Sequence, residues 1–275
     1  MILLVSIGNL FLMNDDFEWQ PLKALLPDVQ VTVLDEVGST NTYALESVRH
    51  EQCSTPALII AHRQTAGRGQ QGRSWFSSAG GIAMSIVLRG GQIGFPVLPP
   101  GLLAAAAGVS VAQVLQELAP PDSVSIKWPN DVLLQGRKVA GILIESCSTS
   151  GFWYHVIGIG INVAGSFPKS GPGAELRDRA IHVQDLLSQN VDRLGLVVSI
   201  VRRLREEYAD CETHPEEVAE RFNQLHVFHN QWLTIADARV TNSGWCRGLN
   251  ASGELCLETA TGGVNIASGS VIRVP

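Results

Sequence analysis

The 275-residue sequence predicts an α+β fold, in which a central mixed sheet with helices is followed by a small C-terminal β-barrel. Strand-like and helix-like segments are mixed up to about residue 225 without strict alternation, which disfavours a parallel α/β sheet. A long amphipathic helix is predicted at 194–208, where apolar residues recur at steps of three and four. After residue 226 the sequence changes to short β-like runs separated by glycine, typical of a small barrel.

Alternating apolar residues predict a strand at 29–34, and Ser39, Thr40 and Asn41 provide N-cap residues for the next helix. Apolar runs predict strands at 57–61, 82–88, 124–128, 139–145 and 154–163, a buried core helix at 102–118 and a short helix at 216–225. Five C-terminal strands are predicted at 232–236, 245–249, 254–259, 264–267 and 271–274. We therefore expect an N-terminal extension (1–30), a catalytic domain (31–225) and a C-terminal β domain (226–275).

The composition limits the class of protein. Hydrophobic residues make up 45% of the chain and charged residues 17%, enough for a large core and against disorder. A net charge of −6 argues against a nucleic-acid partner. The five cysteines are scattered without a C-x-x-C pair, which favours reduced thiols in the cytoplasm. Neither apolar stretch, 1–13 or 102–118, has the pattern of a signal peptide or a membrane span.

Segment 64–75, Q-T-A-G-R-G-Q-Q-G-R-S-W, combines three glycines with two arginines. The glycines let backbone N–H groups approach a ligand. Arg68 and Arg73 can each bind a phosphate or a carboxylate through two parallel hydrogen bonds. The segment lacks the G-K-[ST] of a P-loop, and its G-x-G-x-x-G spacing is a weak pattern by itself. On the residues alone, an exposed basic hairpin turn is an equal alternative.

Three shorter segments carry further polar residues. K-W-P-N-D at 127–131 presents an amide and a carboxylate together, as Mg²⁺–nucleotide binding requires, although an ordinary Asn-Asp turn has the same pattern. In R-K-V-A-G-I-L-I-E at 137–145, Lys138 must reach solvent or an anion, and Gly141 leaves room for a ligand or backbone. In G-I-G-I-N-V at 158–163, Asn162 needs hydrogen-bond partners, either structural or on a purine edge.

In this order, and with G-S-T-N at 38–41 before them, these segments resemble the biotin–protein ligase family over about residues 33–275. The resemblance implies a catalytic domain related to class II aminoacyl-tRNA synthetases. It also implies the activity: ATP, with Mg²⁺, converts biotin to biotinyl-5′-AMP, and the biotin is then transferred to a lysine of a biotin carboxyl carrier protein.

The resemblance also implies roles for matching residues. The biotin site would comprise Ser39, Thr40, Asn41, Gln64, Arg68, Gly69, Gln70, Lys138 and Gly141. The ATP and adenylate site would comprise Trp75, Asn130, Asp131 and Asn162, with Asp131 also serving Mg²⁺. Lys138 and Arg68 would be catalytic, offsetting the repulsion between the biotin carboxylate and the α-phosphate. Because Arg68 and Arg73 repel each other without an anion between them, the loop is expected to order on the adenylate.

Three departures from the family pattern affect these expectations. Gln70 and Gln71 stand where several members carry two arginines, and no tryptophan occurs in 164–180, where some members stack an aromatic ring on adenine. About thirty residues precede the first strand, too few for a winged helix, so transcriptional repression is not expected. The alternatives are a lipoate-type protein ligase and a non-catalytic biotin- or nucleotide-binding regulatory protein; the presence of Lys138 and Asp131 favours catalysis over the latter.

Overall fold

A seven-stranded mixed sheet forms the larger part of the structure, a computed structural model that describes residues 18–94, 97–170, 173–237 and 240–273. Its strands lie in the order β1-β2-β3-β7-β6-β5-β4. The β1–β2 pair is parallel and the other pairs are antiparallel. The elements of this part are α1 (Leu22–Leu25), β1 (Gln30–Val37), α2 (Thr40–Arg49), β2 (Ala57–Gln64), β3 (Gly80–Gln92), α3 (Pro100–Gln116), β4 (Val124–Lys127), β5 (Asp131–Leu134), β6 (Arg137–Thr149), β7 (Phe152–Ala164), α4 (Leu176–Arg179), α5 (Arg193–Thr213) and α6 (Pro215–Leu225). The predicted α+β class is confirmed.

The two faces of this sheet are covered differently because successive strand residues point to opposite sides. On one face, Ile86 and Ile157 belong to the main core with α3, α5 and α6. Almost every residue of α3 is buried, as its apolar composition predicts. On the other face, Val87 and Val156 pack against α2 in a smaller cluster. In the described part of the chain, no helix is both long and apolar enough to cross a membrane.

The residues just before the first strand pack into the main core. The side chains of Trp19, Leu22 and Leu26 are at most 1% exposed, and the Arg193 guanidinium lies 5.0 Å from the centre of the Trp19 ring. The part of the expected N-terminal extension from residue 19 onwards is therefore integral to the larger body. The apolar run at 1–13 lies outside the described residues.

The C-terminal residues form a five-stranded antiparallel sheet in the order β11-β10-β9-β8-β12. Its strands are β8 (Trp232–Ala236), β9 (Thr241–Leu249), β10 (Leu255–Thr259), β11 (Gly262–Ile266) and β12 (Ser270–Arg273). The five predicted strands are thus found. However, β11 and β12 remain the two edges among the described residues, so hydrogen bonding does not close the sheet into the predicted barrel.

Backbone and side-chain hydrogen bonds join this part of the chain to the larger body. Val227 N donates to Ile126 O at the end of β4, and the Asn223 side chain bonds both backbone groups of Leu249 on β9. His226 is buried at this junction beside Cys246, and burial lowers its pKa to about 3. The two sheets therefore meet next to the strand that leads into 127–131.

Candidate active site

A cleft of about 1160 Å³ opens on the α2 side of the seven-stranded sheet. All thirteen residues that the sequence analysis singled out line it, although they come from segments more than 100 residues apart. They are Ser39, Thr40, Asn41, Gln64, Arg68, Gly69, Gln70, Trp75, Asn130, Asp131, Lys138, Gly141 and Asn162. The structure thereby brings these residues to one place.

The floor of the cleft consists of glycines on β6 and β7. Gly141 and Gly160 are cross-strand partners, and Gly158 lies two residues before Gly160 on the same face. The indole of Trp75 lies directly on this floor: a Cβ added to Gly160 would be 2.3 Å from Trp75 Cε2. A Cβ on Gly158 would meet the amide of Asn41 at the same distance. Flat groups therefore approach the sheet backbone here because side chains are absent.

One end of the cleft is neutral, polar and tightly hydrogen-bonded. Gln64 Oε1 accepts hydrogen bonds from the backbone N and the hydroxyl of Thr40, at 2.8 and 3.1 Å. The hydroxyl of Ser85 on β3, which is fully buried, lies 2.8 Å from Thr40 Oγ1 and 2.6 Å from Asn41 Oδ1. Asn41 Nδ2 donates to Leu143 O and to Glu145 Oε2. Both amide protons of Asn41 are thus used within the protein, so it shapes this end of the cleft.

The segment Gly67–Trp75, which we call the lid hairpin, folds back on itself over the cleft. Trp75 N donates to Gly67 O at 2.9 Å, and Gly69 N donates to Arg73 O at 2.7 Å. The turn has left-handed backbone at Gln71 (φ 56°) and Gly72 (φ 74°). The tip of the hairpin reaches the C-terminal sheet, where the Ser270 hydroxyl lies 3.4 Å from Gln71 Oε1.

Arg68 on the lid hairpin forms an ion pair that the sequence analysis missed. Its two terminal nitrogens donate to the two carboxylate oxygens of Glu145 on β6, at 3.0 and 2.6 Å. Glu145 and Lys138 are seven residues apart on that strand, which places them about 20 Å apart along an extended chain. Arg68 therefore binds β6 away from the backbone of Lys138, whereas the Lys138 side chain extends back towards Gly141. The Arg68 guanidinium thus has an anionic partner within the protein.

The other end of the cleft is charged. Lys138 Nζ lies 2.5 Å from Asp131 Oδ1 and 5.5 Å from the centre of the Trp75 ring. Asn130 donates through Nδ2 to Ile142 O, and the backbone N of Ile142 donates to Asn130 O, which anchors the turn before Asp131. Asn162 Nδ2 lies 3.4 Å from Lys138 O. Lysine and carboxylate are thus positioned together between two neighbouring strands.

The charged end of the cleft contains a candidate Mg²⁺ ligand, the carboxylate of Asp131. Within the described ranges, no group of three or more His, Cys, Asp or Glu side chains could hold a metal by itself. Mg²⁺ in nucleotide sites commonly needs one or two protein carboxylates, with phosphate oxygens and water completing the coordination. Asp131 provides such a carboxylate, so the residues present fit a Mg²⁺ ion that arrives with a nucleotide.

Ser85 and Glu145 hold residues that line the cleft, although neither was assigned a role from the sequence. Glu145 did carry a signal, because it follows Gly141 and Leu143, which line the cleft, at steps of two and so lies on the same face of β6. Ser85 carried none, since a serine inside an apolar strand is common. Its importance depends on the neighbouring strands that place Asn41 and Thr40 against it.

Comparisons with known proteins agree on one family. The model of the biotin/lipoate A/B protein ligase family matches residues 33–162. The chain is 33% identical over 246 residues to the bifunctional ligase/repressor BirA of Bacillus subtilis, covering 86% of this chain and 72% of that protein. It is 29% identical over 250 residues to the biotin–[acetyl-CoA-carboxylase] ligase of Mycobacterium tuberculosis, covering 89% of each. The structure resembles a biotin protein ligase from Aquifex aeolicus in complex with biotin and ATP (TM-score 0.73, 27% identity, 90% of this chain and 99% of that one).

Proposed function

The chain belongs to the biotin–protein ligase family and is a ligase, and from this premise we propose that it activates biotin with ATP and transfers it to a lysine of a biotin carboxyl carrier protein. Two partial reactions are involved. The first forms biotinyl-5′-AMP and pyrophosphate, and the second forms an amide and AMP. The proposal extends to this chain the substrates named for the similar structure from Aquifex aeolicus.

The observation that carries the proposal is the two-ended cleft over a glycine floor. Biotin has a neutral ureido ring at one end and a carboxylate at the other. The hydroxyl of Thr40 and the amide of Gln64 form a neutral polar end, and Lys138 provides a cation at the far end. Between the two ends, Gly141 and Gly160 place no side chain on the floor, and the flat Trp75 indole lies directly on it. The polarity of the cleft thus matches the polarity of the ligand along its length.

The neutral end also favours biotin over lipoate, the alternative within the same family. A ureido ring has two N–H donors and a carbonyl acceptor, whereas the dithiolane ring of lipoate has neither. A site that hydrogen-bonds its substrate rejects an analogue without those groups, because the polar side chains are left unpaired. Lipoate would leave the buried Ser39 hydroxyl at this end without the hydrogen-bond partner that a ureido ring provides.

We assign the chemistry of the first step to the charged end. The biotin carboxylate attacks the α-phosphorus of ATP, a P–O bond forms, and pyrophosphate leaves. Both reactants are anions, so Lys138 would lower the barrier by binding the carboxylate and the α-phosphate together. Asp131 would hold Mg²⁺ with the phosphates of ATP, and this ion supplies charge neutralisation when bound. Asn130 would keep Asp131 in place, and Asn162 would bind the nucleotide.

The second step joins the activated carboxyl to the carrier protein. The neutral ε-amine of the acceptor lysine attacks the carbonyl carbon of the mixed anhydride, and AMP leaves with the bonding electrons. Until the carrier arrives, the anhydride must be kept from water. The lid hairpin would exclude water, because Gly69 and Gln70 line the cleft and Trp75 lies on its floor.

We further propose that residues 31–225 form the catalytic domain and that the domain 226–275 supports the lid hairpin through Ser270. We place the enzyme in the cytoplasm. The five cysteines, all among the described residues, are free thiols, which suits a reducing compartment.

The direct test is incubation with labelled biotin, ATP, Mg²⁺ and a biotin carboxyl carrier domain. We expect label on the carrier and pyrophosphate release that depends on biotin. A carrier whose acceptor lysine is replaced by arginine should take up no label, whereas pyrophosphate release from the first step should remain. Labelled lipoate in parallel should give no transfer. Transfer of lipoate in preference to biotin, or pyrophosphate release without either acid, would contradict the proposal.

A further inference from the structure

Glu145 connects three parts of the site, namely the lid hairpin, the N-terminal end of α2 and strand β6. Its carboxylate accepts hydrogen bonds from both terminal nitrogens of Arg68 on the lid hairpin. It also accepts one from Nδ2 of Asn41 on α2. Asn41 is fixed in turn by the hydroxyl of Ser85 on β3. A continuous chain of hydrogen bonds therefore connects the sheet, the polar end of the cleft and the lid hairpin.

The Arg68–Glu145 pair differs from the exposed ion pairs elsewhere in the protein. Its two parallel hydrogen bonds form the fork geometry in which an arginine binds a carboxylate most strongly. The Glu145 side chain is only 25% exposed, whereas both partners of the nearby Arg63–Glu36 pair are more than half exposed. Because Asn41 restrains the carboxylate, less side-chain freedom is lost when Arg68 binds it. This pair is therefore suited to hold a loop against the sheet.

We propose that Glu145 is a positioning residue that fixes the closed lid hairpin through Arg68, so that the adenylate is retained by a carboxylate–guanidinium latch within the protein. Retention of biotinyl-5′-AMP, the consequence of this contact, rests on the proposed function. The contact between Glu145 and Arg68 does not. It replaces the interpretation in which Arg68 meets its anion only when the ligand arrives. It also explains how Gln70 and Gln71 can occupy the lid hairpin without further positive charge.

The test compares Glu145→Gln, Arg68→Gln and the double variant. Glutamine keeps an oxygen for Asn41 Nδ2 but removes the charge that pairs with Arg68, so each single change should speed dissociation of preformed biotinyl-5′-AMP by about fivefold. Since both changes break the same contact, the double variant should be no faster than either single variant. Glu36→Gln is the matched control, because it removes the carboxylate of the exposed Arg63–Glu36 pair on the same sheet.

Hydrogen exchange over 67–75 in the unliganded protein provides a readout that does not depend on activity. Glu145→Gln and Arg68→Gln should raise exchange in this segment, and Glu36→Gln should not. If the wild type forms no adenylate, the proposed function fails, but the exchange result still decides the latch. Wild-type exchange and release in Glu145→Gln, or effects of the two changes that multiply to about 25-fold, would overturn the inference.

Discussion

Gly160→Ala should open the lid hairpin from beneath, without unfolding the protein. The new Cβ would lie 2.3, 2.5 and 2.6 Å from Cε2, Cζ2 and Nε1 of Trp75, whereas carbon atoms in contact are about 3.5–4.0 Å apart. The indole must therefore move by about 1 Å or leave the floor. Overpacking of this kind costs about 1–3 kcal/mol.

This cost should destabilise the closed lid hairpin and leave the folded protein almost as stable as before. The reason is that Trp75 can move away with the hairpin while β7 stays paired on both sides. A loss of about 1–3 kcal/mol corresponds to roughly 5- to 150-fold faster release of biotinyl-5′-AMP. The free energy of unfolding in urea should change by less than about 1 kcal/mol. Both quantities are measured on the purified variant, by rapid dilution of the radiolabelled adenylate complex and by equilibrium denaturation.

Two further variants test whether the clash with the Trp75 indole causes the faster release. Gly263→Ala, on β11, is the matched control, because a Cβ there meets nothing within 4 Å, and it should leave adenylate release unchanged. Removing the indole should remove the clash, so Gly160→Ala should add nothing in a Trp75→Ala background. Wild-type retention in Gly160→Ala, or an equal effect with and without Trp75, would show that the indole does not lie on this floor.

Three further predictions concern the charged end and the junction between the sheets. Lys138→Gln should slow biotin-dependent pyrophosphate release by at least about 30-fold, because removing one partner of a close charge pair costs about 2–5 kcal/mol; release at the wild-type rate would exclude the assigned role. Asp131→Asn should raise the KM for Mg²⁺–ATP while calorimetry gives an unchanged Kd for biotin, and equal loss of both would indicate a structural role. Burial lowers the pKa of His226 to about 3, so the unfolded chain gains a proton near its ordinary pKa of about 6.5 while the folded chain does not. The free energy of unfolding should therefore fall by about 1 kcal/mol from pH 6.5 to 5.5, and His226→Gln should remove that part of the decrease in urea titrations at the two pH values.

Much of the fold and site was predictable because its signals are local. Alternation of apolar residues located most strands of both sheets, and the apolar run at 102–118 located α3. The strand β5 was missed because its sequence, Asp-Val-Leu-Leu, does not alternate between apolar and polar residues as Val-Ser-Ile-Lys of β4 does. The segments containing Arg68, Asp131 and Lys138 carried the family resemblance, which the comparisons confirm.

Packing decided features that no local pattern encodes. The predicted barrel required closure between β11 and β12, a question of register and curvature at the far ends of the sheet. The expected extension around Trp19 proved to be part of the core, because burial there depends on α5, almost 180 residues later. Hydrophobicity predicts that a residue is buried, but not which element covers it.

The sequence by itself determined the identity of the cleft residues and the family, because motif spacing and strand alternation are properties of the chain order alone. Only the tertiary structure decided that Arg68 pairs with Glu145, 77 residues away, and that Trp75 lies on Gly160. An arginine in a glycine-rich loop can serve any anion within reach. Which anion it meets depends on the register of β6 beneath the lid hairpin and on the Asn41 amide that holds the carboxylate in place.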